Sequence, residues 1–109
     1  MIRVVLTAAA DADLAAIARS AELGWGIAQK RRYLDLFFGA FVRLRANPLL
    51  GPSRDDLKPG FRALVVGRHL VVYRIDGKEI RVLRVLHGSM DVQAHFETDR
   101  DELESGIPD

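Results

Sequence analysis

The rhythm of apolar and polar positions changes along this chain of 109 residues, and each change marks an element. Arg3–Leu6 is a short run rich in β-branched residues and predicts a strand. Leu14, Ile17, Ala18 and Ala21 then recur at helical spacing, a narrow stripe of mostly small side chains. Thr7 or Asp11 can cap this first helix, since either side chain accepts from an orphan N–H of the first turn. Gly24-Trp25-Gly26 breaks the pattern and predicts a turn. A longer helix is expected from Ile27 to Ala46. Leu34, Phe37, Phe38, Phe41 and Leu44 share its one broad apolar face, and Lys30, Arg31, Arg43 and Arg45 lie largely off it. An aromatic stripe at this spacing reads as core rather than as a partner groove. Asn47-Pro48 ends the helix, because Asn tolerates a left-handed cap and Pro cannot continue the ladder. Two helices joined by so few residues form an antiparallel hairpin.

After a loop over Leu49–Gly60 the period falls to two. Phe61–Val66 and His69–Ile75 flank Gly67-Arg68, a two-residue hairpin turn with Gly in its first central position. A third strand, Glu79–Leu86, follows a turn that contains Asp76-Gly77. Strict alternation places Arg62, Leu64, Val66, His69, Val71, Tyr73, Ile75, Ile80, Val82, Arg84 and Leu86 on one face. Phe61, Ala63, Val65, Leu70, Val72, Arg74, Arg81, Leu83, Val85 and His87 fall on the other. Both faces are too apolar for water, and one helical hairpin covers only one of them. The second must be covered by the residues after Met90 or by another protein.

Composition narrows the class. There is no Cys, which removes disulfides, thiolate metal sites and thiol nucleophiles together. No apolar run approaches the roughly 18 residues of a membrane span, and Met1–Leu6 is too short for a signal-peptide core. A cytoplasmic, single-domain protein is expected, with no membrane association. The net charge of +1 hides an asymmetry: residues 1–90 hold 15 Lys/Arg against 8 Asp/Glu, and residues 91–109 hold 1 against 7. Thirteen of the sixteen basic residues are Arg, which suits bidentate recognition of carboxylate or phosphate.

Reactive constellations are few. His87, Asp91 and His95 have a four-residue spacing that would align them on one helix face, but His87 should end a strand, so no metal site is expected. Ser89 lies in no nucleophile elbow. The acidic pairs Asp11/Asp13 and Asp55/Asp56 sit at a helix start and in a loop, where carboxylates shape backbone more often than they catalyse. No Gly-rich loop opens a helix after a strand, so no nucleotide cofactor is expected. The sheet cations remain. Arg62 and Arg84 on one face, or Arg74 and Arg81 on the other, could hold a phosphodiester or the carboxylates of a partner.

Three strings, in order, carry a resemblance: Leu57-Lys58-Pro59-Gly60-Phe61-Arg62, then Gly67-Arg68-His69-Leu70-Val71-Val72-Tyr73-Arg74, then Ile80-Arg81-Val82-Leu83-Arg84-Val85-Leu86-His87-Gly88. With the helical hairpin and its Asn-Pro end, they resemble ParE-type toxins of the ParE/RelE toxin–antitoxin superfamily. The resemblance implies an α+β fold of order β-α-α-β-β-β, a helical hairpin packed on a small antiparallel sheet, over residues 1–96, with 97–109 as an acidic tail. It also implies a toxin neutralised by a ParD-like ribbon-helix-helix antitoxin, which would touch operator DNA on the toxin's behalf. ParE toxins poison DNA gyrase, whereas RelE relatives cut mRNA on the ribosome. Arg62 matches one nuclease position, but Leu64, Leu70 and Met90 stand where other basic residues are expected, and no Tyr follows Tyr73. Ser89-Met90 also departs from the pair frequent in ParE. A gyrase inhibitor without a catalytic centre is therefore expected, ahead of a ribosome-dependent endoribonuclease or a non-toxic antitoxin-binding co-repressor. Arg62, Tyr73, Arg74, Arg81, Arg84, His87 and Met90 are the candidate contacts with target or antitoxin.

Overall fold

A computed structural model describes residues 1–88 of the chain. The elements run β1 (Arg3–Leu6), α1 (Ala8–Trp25), α2 (Ile27–Ala46), β2 (Phe61–Val66), β3 (His69–Asp76) and β4 (Glu79–His87). The four strands form one sheet in the order β1-β4-β3-β2. β2, β3 and β4 are the expected antiparallel meander, but β1 joins β4 in parallel, from Arg3 opposite Glu79 to Leu6 opposite Val82. The sheet is therefore mixed. The last strand lies inside it, and the first closes an edge.

Thr7 caps α1, its Oγ1 accepting from the Ala10 N–H at 3.1 Å. The break between the helices is shorter than the Gly-Trp-Gly triplet suggests. Helix α1 runs through Gly24 and Trp25, and Gly26 alone turns the chain, with φ +86°, where a side chain would be strained. At the far end of α2 the expected left-handed cap is absent. Asn47 is extended, and its side-chain oxygen accepts from the Leu49 N–H at 3.3 Å, so an Asx-type bond turns the chain instead.

The main core lies between the helical hairpin and one sheet face. Ala10, Phe37, Ala40, Phe41 and Leu44 pack there on Val66, Val71, Tyr73, Ile80, Val82 and Val85. Phe37, 1% exposed, contributes by burial alone about 1.5–3 kcal/mol. One member of the aromatic stripe departs from expectation. Phe38 is 57% exposed, because a stripe of that breadth reaches past the contact with the sheet.

The second face carries a smaller cluster of Phe61, Ala63, Val72 and Leu86, with Leu57 of the preceding loop packed on it. Val65 on β2 is 69% exposed. The residues after Met90, expected to help cover this face, lie outside the described part, as does the boundary expected at 96–97. The free side of β2 is lined by its own loop: Ala63 N–H donates to Pro52 O (3.0 Å) and Arg54 N–H to Phe61 O (2.7 Å).

Strict alternation fails at one point. Tyr73 stands opposite Val82 but Val72 opposite Arg84, so β4 carries an extra residue, Leu83. Such a bulge moves all later side chains to the other face. Val85 consequently joins the core under the helices, and Leu86 joins the second cluster. The bulge sits where β1 ends and α1 takes over as neighbour of β4. There the Thr7 hydroxyl donates to Leu83 O (2.8 Å), and Asp13 Oδ2 accepts from the Val85 N–H (2.9 Å).

Candidate interaction site

The sheet cations are distributed differently from the alternating pattern. Arg62 stands opposite Tyr73 and Arg84 opposite Val72, so the bulge separates the pair expected on one face. Arg62 holds the loop after α2, its Nε donating to Gly51 O at 2.7 Å and its Nη2 to Leu49 O at 3.2 Å. Tyr73 is fully buried and works beside it. Its hydroxyl donates to Pro48 O (2.7 Å) and accepts from the Gly51 N–H (2.9 Å). Arg84 grips Asp13 of α1 with two bonds of 2.8 and 3.1 Å, both side chains less than a fifth exposed. Arg62, Tyr73 and Arg84 thus bind the chain to itself.

Arg74 and Arg81 do share a face, as alternation requires, directly opposite one another next to Phe61. They sit at the β3–β4 turn among carboxylates. Arg74 lies 3.5 Å from Asp76, and Arg81 lies 3.4 Å from Glu79 and 3.9 Å from Asp76. Arg3 of β1 adds a 2.8 Å bond to Glu79, and its hydrogen bond, followed by that of Arg81, holds the Glu79 carboxyl below its ordinary value. The Arg74 Nε is buried without a hydrogen-bond partner among the described residues. Beside this cation pair Phe61, Val72 and Leu86 are buried and Leu70 is half-buried, so the part of this end open to a partner is the pair of guanidiniums, which suits carboxylates.

The opposite end of the same strands is aromatic. Because the bulge inverts the end of β4, His87 comes to stand opposite His69, their rings edge to face at 5.2 Å. Alternation alone puts them on opposite faces. Tyr33 of α2 meets them from above. Its Oη accepts from the Arg68 N–H (3.0 Å) and lies 2.6 Å from His69 Nδ1. The hydroxyl can give its proton to Nδ1 or accept one from it, and either way the bond engages Nδ1 and leaves Nε2 as the unbonded ring nitrogen. Burial, then the neighbouring His87, lowers the His69 pKa, and Asp13 opposes them. Gly67, with φ +59°, is needed both for the turn and for room: a Cβ there would meet the Tyr33 hydroxyl at 2.8 Å. Trp25 closes on Tyr33 edge to face at 6.0 Å. These residues, with Ala16, Ser20 and Gly24 of α1, line an open cavity of about 510 Å³.

Of the expected contacts, then, the structure joins Arg74 with Arg81, sets His87 in the cavity, and turns Arg62, Tyr73 and Arg84 inward. Met90 lies outside the described residues, as do Asp91 and His95 of the four-residue spacing. Sequence reasoning missed Asp13, Tyr33, Arg68 and His69. Two of these, Arg68 and His69, follow the hairpin glycine, a position that always presents side chains at the end of a sheet. Phe38 (57% exposed) and Val42 (64% exposed) form an additional apolar pair one turn apart on the outer side of α2.

The geometry defines an α+β protein in which a helical hairpin covers one face of a four-stranded mixed sheet. Residues 4–92 match the family described as ParE toxin of type II toxin–antitoxin system, parDE. Toxin ParE1 of Mycobacterium tuberculosis is 41% identical over 95 residues, 86% of this chain and 97% of that protein. Toxin ParE3 of Caulobacter vibrioides is 35% identical over 96 residues, 88% and 96% of the two chains. A solved structure titled "Chromosomal ParDE TA system from P. aeruginosa" superposes with a TM-score of 0.70 at 26% identity, covering 80% of this chain and 96% of that one. The chain belongs to the ParE toxins of type II toxin–antitoxin systems. No helix among the described residues is long and apolar enough to cross a membrane.

Proposed function

We propose that this toxin acts in the cytoplasm by binding DNA gyrase, without a catalytic centre of its own, and that a ParD-like antitoxin neutralises it by binding at the Arg74–Arg81 end of the sheet. The observation that carries the first part is the commitment of Arg62 to loop carbonyls and of Arg84 to Asp13. Phosphodiester cleavage needs cations aimed jointly at one developing charge, and these two occupy different faces and hold other partners. Family membership supports gyrase as the target. Purified toxin should inhibit supercoiling by gyrase in a dose-dependent way and leave mRNA intact in a translating extract. Unimpaired supercoiling together with new mRNA ends would replace this reading with ribosome-dependent cleavage. Unimpaired growth on strong induction of folded protein would leave a co-repressor module.

The antitoxin part draws on the ParDE system of the solved relative and on the part-exposed cation pair Arg74 and Arg81. A segment bearing carboxylates complements it, and operator DNA would be reached only through the antitoxin. Arg81→Glu reverses a charge that is 38% exposed and tests the surface with little risk to the fold. Weakening by roughly tenfold or more is expected for a charge pair at such a rim. Unchanged affinity would place the antitoxin elsewhere. Arg84→Glu is the poorer test, because it sets a second carboxylate against Asp13.

A further inference from the structure

We propose that the cavity between α1, the start of α2 and the β2–β3 turn is a binding site for an aryl carboxylate, carried either by a free acid or by neighbouring side chains of a peptide. Its volume of about 510 Å³ falls within the range of sites that enclose one small organic ligand. One wall is α1, where Ala16, Ser20 and Gly24 present no bulky side chain. At the end of α1 the Trp25 ring meets Tyr33 of α2 edge to face, an arrangement a guest ring can extend.

The polar end of the cavity holds the Arg68 guanidinium beside the His69 and His87 imidazoles. His69 Nδ1 is occupied by the Tyr33 hydroxyl, and Nε2 has no hydrogen-bond partner among the described residues. The Arg68 guanidinium forms no ion pair among the described residues. Nearby carboxylates are spoken for: Asp13 by Arg84 and Val85, Glu22 by Lys30 at 3.3 Å. An apolar guest would leave the guanidinium without a partner in the cavity, whereas a carboxylate presents two oxygens to its planar edge. The negative charge therefore belongs to the guest.

The test is a titration of isotope-labelled full chain with 3-phenylpropionate, followed at the Arg68 and His69 amides and the Trp25 indole. Saturable shifts confined to these groups are expected. The uncharged isostere 3-phenylpropanamide should bind at least about tenfold more weakly, the share of a charge-assisted pair. Arg68→Gln, on an exposed turn, should weaken the acid by a similar factor and leave the amide unchanged. Ser20→Phe, which fills the cavity from the helix surface, should abolish binding of both. Acetyl-Phe-Asp-amide separates the two sources: tighter binding than 3-phenylpropionate assigns the guest to a peptide, weaker binding to a free acid. Absence of saturable shifts, or equal affinity for acid and amide, would overturn the proposal.

Discussion

The two ends of the β-meander are built from the same strands by opposite means. At the β3–β4 turn, Arg3, Arg74, Asp76, Glu79 and Arg81 make a lattice of ion pairs open to water. At the β2–β3 turn, Tyr33, His69 and His87 make a half-buried set of ring contacts with a two-bond hydroxyl at its centre. Exposed pairs gain little because water and salt screen them and long side chains lose freedom. A half-buried hydroxyl with both partners in place is more costly to disrupt, because His69 Nδ1 is left part-buried without the bond it had. The first end sets charge at the surface. The second fixes how the helices sit on the sheet.

Four substitutions or conditions test that contrast. The largest effect is expected midway, at the clamp joining α1 to β4: Asp13→Ala removes both bonds to the Arg84 guanidinium and the acceptor of the Val85 N–H, costing about 3 kcal/mol. Denaturant unfolding measures it, and a loss below about 1 kcal/mol would mean that the clamp is as weak as an exposed pair. Tyr33→Phe comes next, at about 1–2 kcal/mol, since Arg68 N–H and His69 Nδ1 both lose their partner. Lowering pH is third. His69 holds a proton less readily when folded, so the stability of its neutral form is complete above its ordinary value of 6.5 and is lost as pH falls through the lowered one. His69→Gln should flatten the thermal stability profile in that window. Smallest is Glu79→Gln at the charged end, where melting should be indistinguishable from the parent near neutral pH. The Glu79 contribution would fade only in acid, below its ordinary value of 4.5. A Glu79→Gln loss equal to that of Tyr33→Phe would abolish the distinction between the ends.

What was legible in the sequence follows from how local each feature is. Helix α2 matches its expected limits, Ile27 to Ala46, because twenty residues of 3.6-residue period leave no alternative register. Both hairpins were readable because Gly67 and Gly77 take positive φ within two-residue turns. The parallel β1–β4 pairing was not, since it joins residues 76 positions apart and no turn announces it. The bulge was equally hidden. Arg81-Val82-Leu83-Arg84-Val85-Leu86-His87 has no period of two, so sequence alone cannot say which residue is extra. Only the Thr7 hydroxyl and the Asp13 carboxylate, arriving from the other end of the chain, select Leu83. The bulge in turn brings His87 to His69, and the cavity was invisible for that reason.

The place of β4 bears on when the toxin becomes active during its own synthesis. β4 is the last of the strands to leave the ribosome, yet it sits between β1 and β3. Until it inserts, β1 has no sheet to join, Asp13 has no Arg84, and His69 has no His87 beside it. A nascent chain that stops before Glu79 can form its helices and its first hairpin, but neither the core nor the cavity. Long-range pairing of this kind is also slow to form. Among the described elements, synthesis of β4 therefore completes the core, the charged end and the cavity together rather than one after another.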